Sequence, residues 1–322
     1  MSKYKVKKTI EKEAVEMRAV YTETLCELAE KDDRIVLLDA DLVGSSGVKP
    51  FFKKFPDRGI DCGIQEGNMI GVAAGLSAQG MIPFAHSFGP FATRRVCDQI
   101  FISCAYAQLN VRIVGSDPGV TAAYNGGTHM PFEDMGTLMS IPHITLVEPT
   151  DTVQLRWLVK KLQNEYGVFY IRLLRKNAAG VYEEGSEFEL GKAPTLKEGK
   201  DVCIAASGLM VEEALKAAAI LKKEGISAAV INTFTWKPID EKAIAKYAEK
   251  CGCFVTAENH NVIGGLYTAV SGALAKTKPV PVEAVGVFDE FGEVGTEAFL
   301  RERFALTADA IVKAAKKAIS RK

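Results

Sequence analysis

The chain has 322 residues, which is enough for two domains with a core each. Its 40 Lys and Arg residues balance 40 Asp and Glu residues, whereas nucleic-acid-binding proteins usually carry an excess of positive charge. No apolar run approaches the ~20 residues of a membrane-spanning helix, and none follows the basic start MSKYKVKK as in a signal peptide. Composition therefore argues against nucleic-acid and membrane partners, and we expect the basic start to be a solvated arm.

Cysteine usage indicates a reducing compartment. The seven cysteines are scattered through apolar segments, at positions 26, 62, 97, 104, 203, 251 and 253. An odd number without regular spacing favours reduced thiols in a cytoplasmic protein over a disulfide framework. Cys251 and Cys253 stand two apart, but no second Cys or His pair lies at zinc-site spacing, so we expect buried thiols and no metal ligands in this chain.

The first half of the chain alternates helix and strand signals. Apolar residues recur at helical spacing over 11–31, and residues 35–38 form a short apolar run that is typical of a buried parallel strand. The same patterns predict helices over 66–80, 91–107 and 152–165, and strands over 82–85, 111–115, 144–147 and 168–173. Strands separated by helices predict a parallel α/β sheet that is covered on both faces.

Residues 177–200 interrupt this alternation and are typical of an exposed linker, because they are rich in Gly, Glu and Lys. The alternation then resumes, with strands predicted over 201–206, 227–231, 252–257 and 281–286 and helices over 210–224, 240–250, 264–276 and 307–320. The sequence therefore predicts an α/β fold of two domains, each a mostly parallel sheet flanked by helices. We place the domains at 1–184 and 201–322, with a linker at 185–200.

A loop that holds phosphate groups is not evident. The sequence has no GxxxxGK[ST] motif and no GxGxxG motif after a strand. Gly-rich stretches occur at 44–47, 125–127 and 264–265, and each is more typical of a turn. The sequence thus predicts no site for a diphosphate and its divalent metal.

The segment DCGIQEGNM places Glu66 at the start of an apolar helix rich in Gly and Ala. Acidic residues are common in the first turn of a helix, where the helix dipole favours them. The apolar neighbours indicate burial, however, and a buried carboxylate needs a partner. The residues alone leave two interpretations open, a first-turn acid or a carboxyl group that shares a proton with a cofactor.

Further candidates follow the predicted strands. Phe88 and Phe91 come at the end of a strand, where α/β folds bind ligands, and they suit either a planar heterocycle or an ordinary core. His129 stands in a Gly-rich loop, a setting that favours a functional role. The guanidinium groups of Arg18 and Arg175 have a geometry that suits phosphate. The alternative for each Arg is a surface ion pair.

Taken in order, six segments resemble the C-terminal half of transketolase: IQEGNMIGVAAGLS, SFGPF, GGTHMPFED, VEPTD, ENHNVIGGL and FDEFGEVG. The resemblance runs through a pyrimidine-binding domain and a C-terminal domain and covers nearly the whole chain. It implies transfer of a two-carbon ketol unit from a ketose phosphate to an aldose phosphate, with thiamine diphosphate as cofactor.

The resemblance also implies roles at the cofactor. Glu66 matches the family's Glu, which hydrogen-bonds N1′ of the aminopyrimidine and promotes the imino tautomer that takes the C2 proton of the thiazolium. Ile64, Phe88 and Phe91 match the surroundings of the pyrimidine. His129 matches a His near the hydroxyl groups of the donor.

Other matches lie at the substrate. Asp117 matches an Asp that contacts a substrate hydroxyl, and Arg18, Ser45 and Arg175 match positions that hold the phosphate of the sugar. The sequence departs from the family at two places. Ser116 stands where transketolases usually carry a His, and Tyr124-Asn125-Gly126-Gly127 replaces the usual Glu-Asp-Gly-Pro. Both departures lie near the substrate and bear on the identity of the sugar.

The diphosphate and metal motif of the family, Gly-Asp-Gly followed by Asn, is absent from this sequence. In fused transketolases it belongs to the preceding domain. The resemblance therefore implies a partner, an N-terminal transketolase subunit that binds the diphosphate and Mg2+ (or Ca2+) and forms an α2β2 assembly with this chain.

Two alternatives remain open. The beta subunit of a 2-oxo-acid dehydrogenase shares this architecture but has no need of Arg18 and Arg175. A non-catalytic regulatory subunit would have no need of Glu66 and His129.

Overall fold

The structure, a computed structural model, describes residues 3–322. Its strands are β1 Val6–Lys12, β2 Ile35–Asp39, β3 Gly59–Asp61, β4 Ile82–Phe88, β5 Val111–Ser116, β6 Ile144–Val147, β7 Val168–Leu173, β8 Ala179–Tyr182, β9 Thr195–Lys197, β10 Val202–Ala206, β11 Ala228–Asn232, β12 Thr235–Lys237, β13 Phe254–Asn261 and β14 Val282–Val287. Its α-helices are α1 Met17–Ala29, α2 Lys49–Lys54, α3 Glu66–Ala78, α4 Gly89–Ala92, α5 Cys97–Gln99, α6 Asp134–Met139, α7 Thr152–Gln163, α8 Met210–Lys223, α9 Glu241–Cys251, α10 Leu266–Lys276, α11 Glu297–Arg303 and α12 Ala308–Ile319.

The first domain is built on a seven-stranded sheet in the order β12-β6-β7-β5-β4-β2-β3. All of its neighbouring pairs are parallel except β12 with β6. Strands β2, β4, β5 and β7 are buried along their whole length, as parallel strands covered on both faces must be. Helices α1 and α7 pack on one face, and α3 with the segment around 96–105 packs on the other.

The second domain has a five-stranded sheet in the order β14-β13-β10-β11-β9, parallel except for β9. Helices α8 and α12 cover one face. Helices α9 and α10 cover the other face, and their core is continuous with the core around α3 in the first domain. The predicted α/β fold, with two mostly parallel sheets flanked by helices, is confirmed.

The prediction of a solvated N-terminal arm was wrong for the residues that the structure describes. Strand β1 pairs with β8 in an antiparallel ribbon. Tyr4 stacks on Phe188, and its hydroxyl donates a hydrogen bond to the carbonyl of Thr195. The alternation of charged and apolar residues in YKVKKTIEK suits a strand with one covered face, a pattern that the basic composition conceals. Helix α1 accordingly begins at Met17 and not near residue 11.

The segment 177–200 is more structured than an exposed linker. It contains β8, which pairs with β1, and β9, which is an edge strand of the second sheet. Phe188 is buried against Tyr182 and Trp157. The bounds 1–184, 185–200 and 201–322 remain a prediction, and the first sheet also takes in β12 from beyond them.

The helix predicted over 91–107 is broken into short pieces. After α4, Thr93 leaves the helical region with φ −130° and ψ −87°, and a 3₁₀ turn Arg94–Val96, α5 and a π-helical turn Ile100–Tyr106 follow. Apolar spacing does not reveal such breaks, because the inward residues Val96, Ile100 and Cys104 keep helical intervals. The break turns Arg95 toward Glu66.

Candidate active site

Glu66 is the first residue of α3, and it is buried, with 4% of its surface exposed. Arg95 donates a hydrogen bond from Nη1 to Glu66 Oε1 at 2.6 Å. The guanidinium of Arg95 also lies 3.9 Å from the ring centre of Phe91. The positive end of the helix dipole and the Arg95 guanidinium both face this carboxyl group. Among residues 3–322, Arg95 is the one side chain that hydrogen-bonds Glu66, through one carboxyl oxygen.

Three rings lie beside Arg95, the partner of Glu66. The centroids of Phe88 and Phe91 are 6.2 Å apart, and His129 stands edge-on to both, at 5.8 Å and 5.0 Å. Burial, and second the charge of Arg95, lower the pKa of His129, so its imidazole is neutral at neutral pH. A neutral imidazole can accept a proton from a substrate hydroxyl and return it. The structure thus brings together the aromatic pair and the histidine that the sequence singled out.

The loop that carries His129 is anchored at both sides. Gly126 has φ 72°, a conformation that glycine adopts without strain, and a side chain at Gly127 would strike the carbonyl oxygen of Gly292. Farther along, the carbonyl of Pro131 accepts a hydrogen bond from the buried Arg172 at 3.1 Å. These contacts fix the position of His129 relative to the sheet.

A second group of side chains lies on the other side of Phe88. Arg175 Nε is 3.0 Å from Asp117 Oδ1, and its guanidinium lies 5.5 Å from the ring centre of Phe88. Arg18 donates from Nη1 to the backbone carbonyl of Ser45 at 2.8 Å, and the amide of Arg18 bonds the carbonyl of Arg175 at 3.3 Å. Four of the five residues predicted to contact substrate, all except His129, are therefore neighbours.

The charges of this second group are paired. Arg18 Nε is 2.6 Å from Glu16 Oε2, and Lys176 Nζ is 3.7 Å from the other carboxyl oxygen of Glu16. Burial raises the pKa of Asp117, and the charge of Arg175 opposes this. With three cations and two carboxylates, the group has one positive charge in excess.

Both groups lie at the carboxyl edge of the first sheet. Strand β4 ends at Phe88 and strand β5 at Ser116, which are register partners, and Asp117 follows directly. Ligands of open α/β sheets bind at this edge. Asp117 has φ 60°, a left-handed conformation that aims its carboxylate at Arg175. Ile64, two residues before Glu66, is exposed and contributes an apolar surface near the start of α3.

Sequence reasoning missed Arg95 and Arg172. Arg95 pairs with Glu66, and the Arg-Arg dipeptide at 94–95 was its only signal. Arg172 interrupts the apolar strand VFYIRL, which is a usable signal for a buried charge with distant partners.

The described residues lack two other kinds of feature. Between residues 3 and 322, no group of three or more His, Cys, Asp or Glu side chains is arranged to hold a metal ion. None of the helices in this range has the length and apolar character needed to span a bilayer.

Two family models match the chain. Residues 13–180 match the transketolase pyrimidine binding domain, and residues 191–311 match the transketolase C-terminal domain. The match to the first model covers just over half of the chain, so the chain belongs to the transketolase family.

Within this family the chain is similar to subunits of split enzymes. The 6-deoxy-6-sulfo-D-fructose transketolase subunit SqwH from Clostridium sp. (strain MSTE9) is 54% identical over 306 residues, which are 95% of this chain and 95% of that protein. A solved split gene transketolase, an inactive beta4 tetramer, is 42% identical with a TM-score of 0.90 and covers 96% of this chain and 100% of that one. Human transketolase is 34% identical over 94% of this chain but only 49% of its own length. The chain is a transketolase-type transferase subunit that corresponds to about half of the fused enzyme.

Proposed function

We propose that this chain is the pyrimidine-binding subunit of a two-chain, thiamine-diphosphate-dependent transketolase. It transfers a two-carbon ketol unit from a ketose with a distal phosphate or sulfonate to an aldose phosphate. The observation that carries the proposal is one continuous group at the sheet edge. Phe88 packs with Phe91, which Arg95 connects to the buried Glu66, and Phe88 also contacts Arg175 of the Arg175–Asp117 pair.

The residues at this edge fit the pyrimidine end of the cofactor. Glu66 Oε1 accepts from Arg95, which leaves Oε2 for a ring nitrogen, and Phe88 and Phe91 offer apolar faces to a planar ring. When bound, the cofactor supplies the nucleophilic carbon and holds the electrons of the transferred unit. Glu66 holds a proton at the ring nitrogen. His129 takes and returns a proton at a hydroxyl of the donor.

The diphosphate end needs a partner chain. The sequence has no Gly-Asp-Gly followed by Asn, and human transketolase is about twice as long as the region it shares with this chain. We infer that a separate N-terminal subunit supplies the diphosphate and metal site, in an α2β2 assembly. The seven cysteines are free in the structure, which supports a cytoplasmic enzyme.

The net charge of the side chains around Arg175 indicates which distal group the donor carries. The single positive excess of Arg18, Arg175 and Lys176 over Glu16 and Asp117 suits an anion with one charge. A sulfonate carries one charge, whereas a phosphate monoester carries about −1.5 to −2 at neutral pH. The 54% identity to a sulfofructose transketolase subunit supports the same choice. We therefore propose a 6-sulfo-ketose as the preferred donor and a ketose phosphate as the second candidate.

Other members of this architecture are less well supported. A 2-oxo-acid dehydrogenase beta subunit would not need the Arg18 and Arg175 group, and both family matches are to transketolase. A regulatory subunit would not need a buried Glu66 beside an aromatic pocket.

The test is reconstitution with a partner chain that carries the Gly-Asp-Gly…Asn motif. Titration calorimetry with thiamine diphosphate and magnesium should show weak binding to this chain alone and tight binding to the pair. Ketol transfer should require both chains and should be faster, in kcat/KM, with 6-deoxy-6-sulfofructose than with fructose 6-phosphate. Tight binding and turnover by the isolated chain would refute the two-chain assignment. A preference for fructose 6-phosphate would refute the sulfonate assignment alone.

A further inference from the structure

A cluster of buried polar atoms lies beneath the Arg175–Asp117 pair. Within the described part of the chain, four side-chain atoms of this cluster have no hydrogen-bond partner: Tyr21 Oη, Asp117 Oδ2 and both ring nitrogens of His86. Ser46 lies beside Asp39 and hydrogen-bonds its carboxyl group. All five side chains are buried, with exposed fractions of 0% or 1%. Buried polar groups are normally hydrogen-bonded, so such a concentration next to a ligand site needs an explanation.

Sheet register and one ring contact bring Asp39, His86 and Tyr21 together, and we call this buried group the chamber. Asp39 at the end of β2 is the register partner of His86 in β4, so the two side chains lie on the same face of the sheet. The ring of Tyr21, from α1, stands perpendicular to the His86 ring with centroids 5.4 Å apart. Phe88, two residues after His86, lies on the same face and carries the guanidinium of Arg175. The chamber is therefore one step deeper in the fold than the group proposed to bind the donor.

The chemistry of the chamber suits neutral hydrogen-bonded molecules and not an anion. Tyr21 offers a hydroxyl donor, the Asp39 carboxyl group offers acceptor oxygens, and a neutral imidazole offers one donor and one acceptor. Burial, and second the charge of Arg175, lower the pKa of His86 to about 3, so the ring is neutral at neutral pH. The carboxyl of Asp39 would repel a second anion. Ordered water, which makes about three hydrogen bonds at buried sites, meets these requirements.

The pair above the chamber needs support. Among residues 3–322, Asp117 is the one side chain that hydrogen-bonds the guanidinium of Arg175, and it bonds Nε alone. Asp117 has left-handed backbone, and its second carboxyl oxygen is one of the unpaired atoms. A single hydrogen bond leaves the orientation of the planar Arg175 guanidinium poorly defined. Hydrogen bonds from the side chains beneath the pair would fix the orientation of the Asp117 carboxylate and of the Arg175 guanidinium.

We propose that His86 is a positioning residue for donor recognition. Together with Tyr21 and Asp39 it forms a water-bridged, hydrogen-bonded floor that holds Arg175 and Asp117 in the orientation that receives the far end of the donor. The inference rests on the proposed function, in which Arg175 binds the distal group of the ketose. Recognition of the distal group then depends on Tyr21, Asp39 and His86, which do not contact the donor themselves.

The experiment uses the reconstituted two-subunit enzyme and three donors. Fructose 6-phosphate and 6-deoxy-6-sulfofructose carry a distal anion, and hydroxypyruvate is a three-carbon ketol donor without one. His86→Met keeps the volume and removes the hydrogen bonds, so KM for the distal-anion donors should rise about tenfold while kcat stays within about twofold. KM for hydroxypyruvate should not change. His86→Gln, which can still hydrogen-bond, should recover most of the loss, and Tyr21→Phe should raise the same KM about threefold.

Thr256→Val is the matched control. It removes another buried hydroxyl without a partner, in strand β13 of the second domain, and should leave all three donors unaffected. A His86→Met enzyme in which KM is unchanged for every donor would overturn the inference. So would an equal loss with hydroxypyruvate, or a failure of His86→Gln to recover activity, because a folding defect has those signatures. A parental pair that turns over none of the donors would refute the proposed function and this inference with it.

Discussion

Arg172 Nε lies 2.8 Å from Asp134 Oδ2, and both side chains are fully buried. The same guanidinium bonds Glu148 Oε1 at 2.8 Å and the carbonyls of Pro131 and Asn259 at 3.1 Å and 2.9 Å. One side chain on β7 thereby connects α6, the loop of His129 and strand β13 of the second domain. Burial alone would raise the pKa of Asp134, but the charges of Arg172 and His260 and the hydrogen bonds from Arg172 and Tyr170 together hold that pKa below its usual value.

Arg172→Met should lower the free energy of unfolding by about 3–5 kcal/mol, because it leaves two buried carboxylates without their cation. Urea denaturation of the isolated chain measures the change. Arg321→Met is the control, since Arg321 pairs with Glu283 at the exposed surface and such pairs contribute about 0–1 kcal/mol. Equal losses in the two variants would show that the buried network contributes no more than a surface pair.

Glu66→Gln should abolish proton transfer to the bound cofactor while the fold persists, because the change is nearly isosteric but removes the shareable proton. A general acid or base contributes roughly 10²- to 10⁴-fold, so the rate of hydrogen–deuterium exchange at C2 of the cofactor should fall by at least about 10². NMR of the quenched, reconstituted enzyme gives that rate. Glu133→Gln, which alters a neighbouring acid paired with Arg94, should leave exchange within about threefold of the parent. Exchange at the parental rate in Glu66→Gln would remove Glu66 from the mechanism.

Arg175→Ala should lower kcat/KM for a distal-anion donor by roughly ten- to a hundredfold, since a hydrogen bond to a charged group contributes about 1.5–3 kcal/mol. Hydroxypyruvate, which does not reach Arg175, should be affected less than about twofold. Arg156→Ala removes a surface Arg that pairs with Glu23 and serves as the control. Equal slowing of long and short donors would make Arg175 structural, and no change in either would argue for an uncharged donor.

The buried strands were predictable from sequence because each is a continuous apolar run. The predicted strand 168–173 coincides with β7, and 144–147 coincides with β6. The break of the helix at Thr93 and the pairing of β1 with β8 were not predictable from sequence, because both depend on contacts with distant residues. Propensity and period describe local preference and leave tertiary contacts undetermined.

The candidate site shows the same division. Motif order brought Glu66, His129 and Arg175 to attention. The structure places His129 and Arg175 against Phe88, and it connects Glu66 to the rings through Arg95 and Phe91. The partner of Glu66 was not predictable, because Arg95 reaches it only through the broken helix at 93–97. The neutral chamber under Arg175 was not predictable either, since it joins α1, β2 and β4.

His86 should also affect how stability depends on pH. Its folded-state pKa of about 3 lies below the ordinary 6.5, because burial and, second, Arg175 disfavour the charged ring. Between pH 6.5 and about 3 the unfolded state therefore binds a proton that the folded state refuses, and stability falls as the pH falls through this window. Burial raises the folded-state pKa of Asp39 from 3.8 to about 6, so Asp39 makes stability rise as the pH falls through this range. The effect of His86 is therefore seen by comparing a variant with the parent and not from the pH dependence of the parent alone.

The free energy of unfolding of His86→Gln should fall less steeply with decreasing pH than that of the parent, by up to about 1.4 kcal/mol per pH unit, which corresponds to one proton. Urea midpoints of the isolated chain between pH 7 and 4.5 give the two slopes. Thr256→Val is the control, because it removes a buried polar group that does not titrate and should leave the slope unchanged. Identical slopes for His86→Gln and the parent would mean that His86 takes up its proton at the same pH in the folded and unfolded states, so the fold would not hold the ring neutral beneath Arg175.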